Sequence, residues 1–92
     1  MRIRWTTPAA QDLTRISDFI SERDGPALAR RVALTIYERV GALTAFPRRG
    51  RPGRVPDTRE LVIPGLPYLA VYRLKSDVIE IARVLHGAQQ WP

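Results

Sequence analysis

The chain has 92 residues, no cysteine and a single histidine, which excludes a disulfide framework, thiolate chemistry and a ligand set for structural zinc. Its composition, 45% hydrophobic and 26% charged, is too apolar for disorder, and its length builds one core, so residues 1–92 are expected to form a single domain with no metal and no cofactor. Fifteen basic residues against nine acidic give +6, which suggests an anionic partner, either nucleic acid or an acidic protein segment.

The N-terminus, Arg2-Ile3-Arg4-Trp5, alternates basic and apolar residues with period two and reads as a short strand. It offers no apolar signal core, and no later run approaches the ~20 apolar residues that span a bilayer, so a cytoplasmic protein without membrane contact is expected. Thr7-Pro8 is a helix start, Thr7 as cap and Pro8 where a missing N–H is harmless. Ala9, Leu13, Ile16 and Ile20 then form one apolar stripe, with Asp12, Asp18 and Glu22 expected on the wet side. Gly25-Pro26 closes this helix and opens another, whose stripe is Ala29, Val32, Ile36, Val40 and Leu43 and which is expected to end at Pro47. So short a turn makes the pair an antiparallel helical hairpin.

From Pro47 to Thr58 the chain has no period, and Pro47, Gly50, Pro52 and Gly53 mark it as a loop. It carries Arg48, Arg49, Arg51 and Arg54, the densest basic stretch of the sequence. The period then changes to two, predicting strands at Glu60–Ile63, Tyr68–Leu74 and Val78–Val84, joined by Pro64-Gly65-Leu66-Pro67 and Lys75-Ser76-Asp77. Short connections make these an antiparallel meander. The fold class is therefore α+β: strand, helical hairpin and three-stranded meander in two layers, with one sheet face open. Alternation puts Arg73 on a face with Leu69 and Val71, and Arg83 on a face with Ile79 and Ile81.

Thr58-Arg59-Glu60-Leu61-Val62, Pro67-Tyr68, Val71-Tyr72-Arg73 and Ile81-Ala82-Arg83-Val84-Leu85-His86 resemble the strands of RelE/ParE superfamily toxins of type II toxin–antitoxin systems. Ala9, Asp12-Leu13 and Ile16 resemble the family's opening helix, and Pro47 with Gly50-Arg51 its loop, so the likeness spans nearly the whole chain. The resemblance implies a growth-inhibiting toxin held inactive by an antitoxin with an extended, amphipathic tail. It leaves two activities open, since fold does not fix function: ParE-like inhibition of DNA gyrase, or RelE-like cleavage of messenger RNA on the ribosome. The ribonuclease branch typically carries an arginine directly after the tyrosine of its third strand. Here Tyr68 is followed by Leu69, which cannot neutralise a phosphate; the Tyr72-Arg73 pair and the Arg83-to-His86 ending are closer to the ParE branch.

Candidate target-binding residues are Arg51, Arg54, Arg59, Arg73, Arg83, His86 and Trp91, and no catalytic set is assigned. Were the chain a ribonuclease, Arg59, Arg73 and Arg83 would stabilise a developing phosphorane and His86 would move a proton. Each has a plainer alternative. The arginines could pair with Glu60 or Glu80, the basic loop could simply be solvated, and His86 could be a tail residue bonded to backbone. Tyr68 and Tyr72 could stack on bases or fill the core. Trp91 either docks back on the sheet or meets a partner.

Overall fold

A computed structural model describes residues 1–87 and 89–92. Strand β1 (Arg2–Trp5) leads into helices α1 (Thr7–Asp24) and α2 (Pro26–Gly41), followed by strands β2 (Arg51–Pro52), β3 (Arg59–Val62), β4 (Tyr68–Lys75) and β5 (Val78–His86). They form one sheet in the order β1-β5-β4-β3-β2, antiparallel except where β1 runs parallel to β5. The helical hairpin between β1 and the meander is what carries the N-terminal strand to the far edge of the sheet. β2 lies inside the segment expected to be loop, because two residues paired to β3 are too few to show a period.

Both helices lie on one face. Ala9, Ile20, Ala29, Val32, Ile36 and Val40 pack with Leu61, Ile63, Tyr68, Ala70, Tyr72, Ile79, Ile81 and Val84 of the sheet. The helices begin where backbone chemistry favours it. The cap of α1 is Thr6 and not Thr7: its hydroxyl accepts from the Ala9 N–H at 3.3 Å and donates to the Ile81 carbonyl at 2.8 Å. One side chain thus starts the helix and ties it to β5. Gly25 joins the two helices at φ 94° and ψ 162°, a conformation open almost only to glycine. The α-helical part of α2 stops at Gly41, short of Pro47, and a 3₁₀ turn at Ala42–Thr44 follows, with Leu43 still fully buried.

Two sequence expectations about side-chain direction are overturned here. Asp12 is buried, not wet, at 4% exposure. Arg83 does not share a face with Ile79 and Ile81, because β5 carries a bulge: Val71 opposes Arg83 while Tyr72 opposes Ile81, leaving Ala82 unmatched. One extra residue reverses the parity of everything after it. Val84 therefore rejoins the helix-side core, whereas Ala82 and Leu85 turn to the open face beside Leu69 and Val71.

Candidate functional site

The candidate residues fall into three groups, each organised by a carboxylate or a phenol. The first lies where the basic loop meets the sheet. Tyr72 is fully buried; its Oη donates to the Pro47 carbonyl at 2.7 Å and accepts from the Gly50 N–H at 2.9 Å. Burial raises the phenol's pKa, opposed by the Gly50 N–H and the charge of Arg59. Arg59, which opposes Tyr72 on β3, donates through Nη1 to the carbonyls of Gly50 at 2.7 Å and Arg48 at 3.2 Å. Its guanidinium holds the loop from inside. Any side chain at Gly50 would place a Cβ 2.7 Å from the Tyr72 ring and hydroxyl, so glycine is required for this approach.

On the opposite, open face of β3, Glu60 is 3% exposed and gathers the loop arginines. It accepts from Arg51 Nη2 at 3.2 Å and from the Arg54 N–H at 3.2 Å, with Arg54 Nε 3.5 Å away. Arg51 and Arg54 remain substantially exposed, so two cations share one carboxylate and leave positive charge at the surface. Arg48 and Arg49 are exposed as well.

The second group lies at the β1 end of the same face. Glu80 pairs with Arg4 of β1 and with Lys75 at 3.3 Å. The Arg4 hydrogen bond first, then Lys75, holds the Glu80 carboxyl below its ordinary range. Arg73 sits opposite Glu80 in the strand register and is half-buried, on the face of Leu69 and Val71 as alternation predicts. Among the described residues it has no ion-pair partner.

The third group occupies the edge of β5 that β1 is too short to cover. Asp12 reaches this edge from α1 and accepts from the Val84 N–H at 3.0 Å, where a neighbouring strand would otherwise bond. It also accepts from Arg83 Nε at 2.7 Å and Nη2 at 3.0 Å, and pairs with Arg15. The two-pronged bond raises the Arg83 pKa, fixing its charge. Beyond it, His86 opposes Tyr68 in register and meets its ring edge-on, with centroids 5.8 Å apart. The tail folds back over the open face: Trp91 packs on Leu69, Val71, Ala82 and Leu85, with Arg83 Cζ 5.6 Å from its ring centroid.

The structure distributes the residues that a ribonuclease would need over both sides of the sheet. Arg59 turns into the loop and His86 stands beside Tyr68 on the helix side, while Arg73 and Arg83 share the open face, where Arg83 is bound to Asp12. Sequence reasoning missed Asp12 as an organising carboxylate; it offered Glu60 as an arginine partner without matching it to Arg51 and Arg54. A signal for Asp12 existed: it stands three residues after Ala9 and four before Ile16, within the apolar stripe and not opposite it.

Residues 3–91 match the family described as the ParE toxin of the type II toxin–antitoxin system parDE. The chain belongs to the ParE toxin family. A Sinorhizobium fredii protein named as a toxin, Y4kP, is 48% identical over 91 residues, covering 99% of this chain and 93% of the relative. Toxin RelE2 of Caulobacter vibrioides is 32% identical over 88 residues, 96% of this chain and 97% of the relative. Among solved structures, the chromosomal ParDE toxin–antitoxin system from P. aeruginosa contains a chain with a TM-score of 0.89 at 34% identity, covering 94% of this chain and 95% of that one. The chain is thus a ParE-like type II toxin with the superfamily's α+β fold. Among its described residues no helix is long and apolar enough to cross a membrane.

Proposed function

We propose that this ParE-family toxin inhibits growth by binding DNA gyrase in the cytoplasm, and that a cognate antitoxin neutralises it. The observation that carries the reading is the commitment of Arg59 and Arg83 to acceptors inside the fold. A phosphoryl-cleaving site needs several cations and a proton carrier aimed at one developing charge. Arg59 instead clamps the loop and His86 meets Tyr68 on the helix side, while Arg73 and Arg83 stand on the open face with Arg83 held by Asp12. A binding toxin requires only a shaped, charged surface. Arg51, Arg54 and Arg73 supply one on the open face, where Trp91 packs on Leu69, Val71, Ala82 and Leu85. The antitoxin reading is supported by the family match, and by unburied apolar side chains on the hairpin, among them Phe19, Leu34 and Tyr37.

A supercoiling assay with purified gyrase, run beside primer extension on messenger RNA from expressing cells, tests the proposal. Loss of supercoiling and stabilised double-strand breaks, with transcripts intact, are expected. Transcript cleavage at codons that disappears on His86→Ala or Arg83→Ala, with gyrase unaffected, would establish the RelE-like ribonuclease instead.

A further inference from the structure

Leu69, Val71, Ala82 and Leu85 form a second apolar cluster on the open face, separate from the helix-side core. Each is at most 8% exposed, yet no helix covers this side. Trp91 is the partly buried hydrophobic residue packed against them, and Val62, opposite Leu69 on β3, is left 49% exposed at the margin. The occupant fits imperfectly. Its indole N–H is buried without an acceptor among the described residues, a loss that a residue selected only for stability would avoid. Among the described residues, backbone bonds of the segment leading to it run from Gly87 N–H to the Pro67 carbonyl, from Gln89 N–H to the His86 carbonyl, and from His86 N–H to the Gln89 side chain. Around the patch stand cations: Arg83 over the ring, Arg73, two residues from Val71 and without an ion-pair partner among the described residues, and Arg51 and Arg54 sharing Glu60 beside Val71.

We infer that this patch is an exchangeable anchor site, filled by Trp91 in the free toxin and taken over by a large apolar side chain of an acidic antitoxin segment. The inference deepens the antitoxin reading above and rests on it. Arg83 has the geometry for either occupant, since Asp12 holds its guanidinium in place whether or not Trp91 lies beneath it. Acidic residues flanking the incoming anchor find Arg73, Arg51 and Arg54 within the same face. Displacing Trp91 frees its N–H to water, which removes one cost of the exchange.

The test replaces Trp5 by Phe, leaving Trp91 as the sole tryptophan, and labels it with 5-fluorotryptophan. The free chain should give one ¹⁹F resonance insensitive to exchange of H₂O for D₂O. Addition of the acidic antitoxin encoded beside the toxin gene, unlabelled, should move that resonance to the solvent-exposed position and switch on the isotope shift. A complex on gel filtration with the resonance unmoved overturns the anchor site and leaves the antitoxin reading standing; absence of any complex overturns that reading. A second arm needs no antitoxin. A synthetic peptide with one tryptophan flanked by glutamates should bind the Trp91→Ala chain at least ten-fold more tightly than the wild type. Adding Ala82→Glu should abolish that binding. Equal affinity for wild type and Trp91→Ala, both shown folded by circular dichroism, overturns the site.

Discussion

Asp12 concentrates more of this molecule's architecture than any other single side chain. It closes the bare edge of β5 through Val84, orients Arg83, and joins α1 to the sheet. Asp12→Ala leaves a buried N–H without a partner and a half-buried guanidinium without its counter-ion. Arg83 can turn to water, its side chain being 28% exposed, so the loss is smaller than for a fully enclosed pair. About 2–3 kcal/mol of unfolding free energy should disappear in urea denaturation, and Asp12→Asn should recover part of it. Tyr72 gives a second test at this scale, through pH. Its folded pKa lies above the ordinary phenol value of 10.0, so the stabilisation is present below that pH and is lost as pH rises through the folded value. Thermal melts should therefore fall progressively above pH 10. Tyr72→Phe should start about 1–2 kcal/mol less stable and show a flatter alkaline decline. Of these residues, Tyr72 was readable as a core candidate from strand spacing, whereas Asp12 was expected on the wet side although its place in the helical stripe signalled burial. Pairing of Glu60 with an arginine was among the readings, but its particular partners Arg51 and Arg54, and the loop clamp made by Arg59, were not readable, because a loop with no period gives no hint of which carbonyls or cations will return to a strand.

Among the elements, the helices were the most legible, since Ala9, Ile20, Ala29, Val32, Ile36 and Val40 recur at helical spacing and all are buried. Strand positions in the meander were legible for the same reason at period two. The parallel pairing of β1 with β5 was not, because alternation specifies a strand and says nothing about its neighbour. The bulge at Ala82 was also hidden: an extra residue leaves no composition signal, yet it decides which face receives Arg83, Val84 and Leu85. Thr6 shows how a one-residue error in an element boundary matters. Its hydroxyl bridges the first turn of α1 and the Ile81 carbonyl, with Ala82 also near at 3.2 Å. Thr6→Ala should cost about 1–2 kcal/mol, while Thr7→Ala, one residue along, should change stability by only a few tenths. Paired chemical-denaturation curves for the two variants check this directly.

For the whole molecule the decisive quantity is the arrangement of an excess of six positive charges. Three carboxylates each gather two cations and so leave their group positive: Asp12 holds Arg83 and Arg15, Glu80 holds Arg4 and Lys75, and Glu60 holds Arg51 and Arg54. Among the described residues Arg73 is left without an ion pair on the open face, and Arg48 and Arg49 are exposed in the basic loop. Cations of this kind accelerate encounter with an acidic partner more than they hold the finished complex, because their field reaches outward while their rim contacts stay hydrated. Replacing Arg48, Arg49 and Arg73 together by Ala removes three charges without stripping a buried carboxylate of its partner. The side chain of Arg59 still reaches the Arg48 carbonyl, which the substitution keeps. Stopped-flow association with the antitoxin should slow about ten-fold at low ionic strength, and the difference should nearly vanish at about 1 M salt, where the Debye length is about 3 Å. Dissociation should change much less. A triple variant that associates as fast as the wild type at low salt would place the steering charge elsewhere, on the arginines of the helical hairpin, and move the docking surface with it.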